Sequence, residues 1–176
     1  MTEPRTHRNI VRNRKKTVAP LYKLRTSDVL KTVVDHPRRL EELLHMLEDK
    51  DRNIRSKAAA ILARLSESHP KRLLRAIARL KEAFADESAY VRWHLAYTLG
   101  ELGSQSPTQS KSLISEIAAG IDDENRIVRI MAGKALARIA ARKPAMIEEL
   151  FKNLKKEMPN SVARALRDGN KKSPSK

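Results

Sequence analysis

The 176-residue chain sets 37 Lys and Arg against 21 Asp and Glu, a formal charge of +16. Six aromatic residues and five glycines argue against an all-β sandwich and against a Gly-rich nucleotide-binding fold, because strands draw on aromatic and β-branched residues. The lack of cysteine rules out disulfides, thiolate metal sites and cysteine nucleophiles.

Charge is concentrated at the two ends. Residues 1–30 carry eight basic and two acidic side chains, and residues 143–176 carry nine and four. Residues 1–26 hold Arg5, Arg8, Arg12, Arg14, Lys15, Lys16, Lys23 and Arg25, with Pro4 and Pro20 and no helical apolar period. This pattern predicts an extended or disordered basic arm. The arm has no apolar run of the kind a secretory signal needs, and no stretch of 18 apolar residues suggests a membrane helix. Arg-Asn-Arg-Lys-Lys at 12–16 is a short match to a nuclear address. A short helix is expected to open near Ser27-Asp28, where a side-chain oxygen can cap free amides. Pro37 should then break the run and start another.

From here the chain repeats itself. Arg55, Arg92 and Arg129 are spaced by 37 residues, each preceded by a β-branched residue (Ile54, Val91, Val128) and, six positions upstream, by Asp49, Asp86 or Asp123. Leu62, Leu99 and Leu136 keep the same register, as do Leu43, Leu80 and Ile117. Within a unit, Leu40, Leu43, Leu44 and Leu47 follow helical spacing and line one face. A polar break, Glu48 to Asp51, precedes a second helix with Ile54, Ala58, Ile61, Leu62 and Leu65 inward. A lone hairpin of this kind cannot bury both faces, so neighbours must stack into a continuous core.

These residues resemble HEAT repeats: an apolar first helix, an Asp in the turn, then Val-Arg opening an Ala- and Leu-rich second helix. The match covers residues 38–142 in three copies, at about 38–68, 71–104 and 109–142. A fourth unit at 145–168 has Ile147, Leu150 and Leu154 predicted inward. There Asn160 stands where Asp is expected and Val162-Ala163 replaces Val-Arg, so the unit reads as a degenerate cap. Gly169 predicts a helix stop, followed by a basic tail (169–176) with Lys171 and Lys172. The expected fold is therefore an all-α solenoid (27–168) of about four HEAT-like hairpins between basic arms. The resemblance also implies that the Asp and Arg columns form a ladder of ion pairs and turn hydrogen bonds, a structural use of those charges.

No P-loop, dinucleotide fingerprint, zinc-protease motif or nucleophile elbow occurs, and the five histidines lack metal-ligand spacing. No catalytic residue, metal or cofactor is expected. Some alkylpurine DNA glycosylases are built from HEAT-like repeats. Such chemistry needs a carboxylate near an aromatic pocket, for which Glu101 is the one candidate, and the chain has fewer repeats than that architecture requires.

One cluster stands apart from the core columns. Tyr90, Trp93 and Tyr97 lie on the second helix of the middle unit. The resemblance implies that second helices line the concave face, where Lys57, Arg64, Lys134 and Arg138 would border Trp93 and Tyr97. Aromatic plates beside cations suit bases, sugars or a partner's apolar side chains; the alternative for these aromatics is packing between repeats. Two functions follow. The first is a non-enzymatic binder of DNA, structured RNA or a nucleoprotein, acting through its arms and concave face, intracellular in the cytoplasm, nucleoid or nucleus and with no membrane partner. The second is a scaffold that holds an acidic or helical protein partner on the concave face, with Ile130 and Met131 contributing.

Overall fold

Proline at the first helical positions opens three of the four hairpins, because the missing amide proton is one that a helix start would leave unpaired. Pro37 leads a 3-10 turn (Pro37–Arg39), and Pro70 and Pro144 lead helices. The computed structural model describes residues 19–106 and 110–171, among which every regular element is helical. Helix α1 (Thr26–Asp35) covers the N-terminal end. Four hairpins follow. The first pairs α2 (Leu40–His45) with α3 (Arg52–Ser68). The second pairs α4 (Pro70–Leu73) and α5 (Ile77–Ala83) with α6 (Ala89–Gln105). The third pairs α7 (Ser110–Ala119) with α8 (Arg126–Ala140), and the fourth pairs α9 (Pro144–Leu154) with α10 (Asn160–Lys171). The protein is an all-α solenoid.

The first helices are not continuous. In the first two hairpins, 3-10 turns at Pro37–Arg39, Met46–Glu48 and Leu74–Ala76 break them, while the second helices run unbroken for up to 17 residues. Side-chain caps start two of those second helices. Asp51 accepts from the Asn53 amide at 2.7 Å, and Asn125 accepts from the Ile127 and Val128 amides, which satisfies donors the helix itself cannot.

The inward columns merge into one core. Leu43, Leu44, Ile61, Leu62, Leu65, Leu80, Leu95, Leu99, Leu102, Leu113, Leu136 and Ile139 are all buried in the same cluster. Successive second helices pack directly on one another, whereas successive first helices touch sparsely. The stack therefore bends toward its second helices, which form the inner face. Small residues permit this closeness. A Cβ added at Gly100 would lie 2.5 Å from the Ala135 Cβ and 2.8 Å from its Cα, so α6 and α8 touch almost backbone to backbone.

The ends differ from the sequence expectation in four respects. Part of the expected arm packs onto the solenoid: Leu21, in a 3-10 turn (Leu21–Lys23), is fully buried, and its amide donates to Glu42 Oε1 at 2.7 Å. Leu24 packs on the same core, and Arg39 and Lys57 donate to the carbonyls of Ala19, Tyr22 and Leu24. The remainder of the arm, with Arg5, Arg8, Arg12, Arg14, Lys15 and Lys16, lies outside the described residues, as does Lys172. Helix α10 runs through Gly169 to Lys171, since a single helical glycine costs only about 1 kcal/mol. Leu154, expected inward, is 40% exposed, and Phe151 is buried instead, because α9 ends one residue later in a left-handed Lys155 (φ 50°).

The fourth difference concerns register. The Val162 and Ala163 amides donate to the Pro159 carbonyl, as the Ile54 and Arg55 amides donate to that of Asp51. Pro159 thus corresponds to Asp51, and the last repeat is three residues shorter than the others. Glu157, not Asn160, therefore occupies the position of Asp49, Asp86 and Asp123.

Candidate functional site

The turn between the two helices of each unit is built from its own Asp. Asp49, Asp86 and Asp123 each accept the amide two residues on, at 2.7–2.8 Å, a local bond that folds the chain back. The following Arg closes the same turn. Arg55 donates through Nη1 to the carbonyls of Asp49 and Lys50, and Arg92 does so to those of Asp86 and Glu87. The other edge of each guanidinium reaches the next repeat: Arg55 Nε to Asp86 at 2.7 Å and Arg92 Nε to Asp123 at 2.8 Å, with Glu87 and Glu124 alongside. These Arg and Asp side chains are about nine-tenths buried.

The electrostatics follow from the geometry. Hydrogen bonding to Asp86 raises the Arg55 pKa, and Asp123 does the same for Arg92, in each case against the opposing effect of burial. Burial acts to raise the Asp123 carboxyl, but Arg92, the Asn125 amide and Arg129 together hold it below its usual value. Arg129 also closes its own turn, on the carbonyls of Asp123 and Glu124 at 2.7 and 2.8 Å. Beyond it no carboxylate among the described residues completes the rung: Glu157 lines the same cleft without an ion pair to Arg129.

The inner face carries the aromatics singled out in the sequence. Trp93 and Tyr97 are half-buried, and Tyr90 is 47% exposed. Tyr90 meets the Trp93 ring edge-on at 5.4 Å, and His94 stacks on Trp93 at 3.5 Å. The buried His94 Nε2 has no hydrogen-bond partner, and burial, aided by Arg64, pulls the imidazole pKa from 6.5 to about 4. Tyr97 donates to Glu67 at 2.7 Å and lies under the Arg138 guanidinium, 4.7 Å from ring centroid to Cζ.

The cations expected here divide into two groups. Lys57 is bound to the Tyr22 and Leu24 carbonyls, fastening the N-terminal segment to α3, and Arg138 pairs with Glu101. Both serve the chain itself. Arg64 and Lys134 are exposed without an ion pair among the described residues. Exposed Arg52 and Arg126, which the sequence reading missed, share that condition; their only signal was a common column at the start of the second helices. Arg52, Arg64, Ser56 and Tyr90 line one groove of about 480 Å³ between α3 and α6. Lys23 is exposed beside the Tyr22 ring, and Arg25 pairs loosely with Asp28 at 3.6 Å. Lys171 lies at the last position of α10. Among the described residues no group of acidic or imidazole side chains has the arrangement of a metal site, and no helix is long and apolar enough to cross a membrane.

Helical hairpins joined by Asp turns, stacked through an arginine ladder and curved around their second helices, define a HEAT/armadillo-type repeat protein. The chain belongs to the family of the non-SMC mitotic condensation complex subunit 1, Cnd1, whose model matches residues 73–172, more than half of its length. Among solved structures it is similar to the designed armadillo repeat protein YIII(Dq.V1)4CPAF in complex with peptide (KR)4, with a TM-score of 0.58 at 18% identity. That similarity covers 79% of this chain, which spans only 65% of the designed protein's length. No curated protein matches by sequence.

Proposed function

We propose that this protein is a non-enzymatic HEAT-repeat module that binds nucleic acid or a nucleoprotein assembly through its inner face and basic ends. One observation carries the reading. On the inner face the carboxylates of Glu67 and Glu101 are engaged by Tyr97 and Arg138, while Arg52, Arg64, Arg126 and Lys134 remain exposed without an acidic partner among the described residues. The face therefore has a surplus of positive charge beside the exposed ring of Tyr90, a combination suited to phosphate and base contact. The family name describes a subunit of a mitotic condensation complex; for this chain we extend that to a place in a multi-protein assembly on nucleic acid. The designed neighbour's complex is with the peptide (KR)4. A basic peptide would be repelled by the cations here, so an anionic partner is favoured.

The test is a titration of duplex DNA, single-stranded DNA and a structured RNA over a salt series. Affinity should fall linearly with salt on a log–log scale, by about 0.9 per duplex phosphate contact and about 0.7 per single-strand contact. Replacing Arg52, Arg64 and Arg126 together by Gln should flatten that slope. An unchanged slope removes the inner face from the reading, and an absence of binding to all three probes removes the reading itself.

A further inference from the structure

The C-terminal half of the inner face differs from the groove beside Tyr90. Ile127 and Ile130, on α8, are 56% and 44% exposed, and nothing in the described chain covers them. Beside them a cleft of about 560 Å³ opens between α8 and the segment leading into α10, lined by Arg129, Ile130, Lys134, Glu157, Met158 and Pro159. Aliphatic side chains cannot stack nucleobases as aromatic rings do, so in this half Arg126 and Lys134 offer phosphate contacts without a platform for bases. The same half suits apolar side chains of a protein.

The polar part of the cleft has a template elsewhere in the molecule. Arg55 and Arg92 present the same guanidinium edge, and each takes an Asp carboxylate at 2.7–2.8 Å from the adjoining repeat. Arg129 keeps the intra-turn half of that pattern but takes no carboxylate of the described residues on its outer edge. Glu157, the register equivalent of those Asp residues, lines the cleft without pairing with Arg129, so the lining holds two cations against one carboxylate. Charge complementarity and the apolar wall together select the occupant. We infer that the cleft is a docking site for a segment of a partner protein that places an Asp or Glu on Arg129 and an adjacent aliphatic or aromatic side chain on Ile130 and Met158. The incoming carboxylate completes the open rung of the ladder. The contact rests on Arg129, Ile130 and Met158 and does not depend on the phosphate-binding reading, although Lys134 lines the same cleft.

The test uses the full chain and the blocked hexapeptide Phe-Ala-Asp-Glu-Ser-Ala, a copy of residues 84–89, whose Asp holds Arg55. In a ¹H–¹⁵N NMR titration the peptide should produce saturable shifts centred on residues 127–134 and 157–161. Arg129→Gln, Ile130→Ser and replacement of the peptide's Asp by Asn should each weaken binding by about fivefold or more, the scale of one lost charge-assisted contact. Glu157→Gln should strengthen it by about twofold or more, because a competing carboxylate is removed. Ile130 is exposed, so its replacement tests the site without threatening the fold. Absence of saturable shifts at millimolar peptide overturns the proposal. So does equal binding by the Arg129→Gln and Ile130→Ser variants. Single-stranded DNA that shifts these residues, with an affinity lost in Arg129→Gln, also overturns it by making the cleft a phosphate site.

Discussion

Arg55 and Arg92 each span two repeats, whereas Arg129, the third member of the same column, serves only its own turn. The first two are held by buried Asp side chains of the next unit, and α6 and α8 approach to backbone contact where Gly100 meets Ala135. Around Arg129 the partner position has passed to Glu157, the repeat is three residues shorter, and a cleft opens. One side-chain column therefore does two jobs. Where an Asp arrives from the next repeat, it cements the stack; where none arrives, it leaves a cation and an apolar wall for another molecule.

Mutations should separate the two regions, beginning with the rungs. Asp86→Ala leaves buried Arg55 with the exposed Glu87 as its remaining ion-pair partner and should cost about 2–3 kcal/mol. Glu157→Ala should change stability by less than about 0.5 kcal/mol. Equal losses in thermal melts of the two variants would erase the distinction between closed and open rungs.

The glycines sharpen the same contrast. At Gly100 an added methyl meets the Ala135 backbone, so Gly100→Ala should destabilise by about 1–2 kcal/mol despite its better helix propensity. At Gly133, facing the cleft, it meets the Ser161 hydroxyl at 3.0 Å, which can rotate aside, and the Pro159 Cβ at an ordinary 3.6 Å. Gly133→Ala should therefore be neutral or stabilising by up to about 1 kcal/mol, as measured by urea unfolding.

Trp93→Ala removes a half-buried ring that packs on His94 and Tyr90 but not on the core. Its cost should be about 1 kcal/mol, well below the several kcal/mol of a core aromatic. A loss above about 3 kcal/mol would return Trp93 to the core.

The last contrast is one of pH dependence. The His94 pKa is lowered in the folded state, so the unfolded chain binds the extra proton first, and stability should fall as pH drops from 6.5 toward about 4. His94→Gln should flatten melting temperature over that window. An equally steep profile in the variant would assign the dependence to other groups.

Much of this contrast was legible before any coordinates. The 37-residue register located the turn Asp residues, the Arg column and the inward Leu and Ile set, because helical spacing and turn chemistry are local. The aromatic trio was also visible, since it stands outside the core columns. Several features were not. Leu21 joins the core from a short apolar stretch around Pro20 that carries no helical period to read. Lys57 and Arg138 look like surface cations until the chain brings the Tyr22 and Leu24 carbonyls and Glu101 to them. Glu157 was masked by the three-residue shortening, which places Asn160 at the expected spacing.

Sequence by itself determined the helices, their turns and the fact that hairpins must stack, because each unit exposes an apolar face it cannot bury alone. Only the tertiary structure decided which charges are consumed and which remain. An ion pair between residues 31 apart, such as Arg55 with Asp86, depends on how closely two repeats approach. That distance is set by small residues such as Gly100 packed against a neighbouring helix, not by any pattern along the chain.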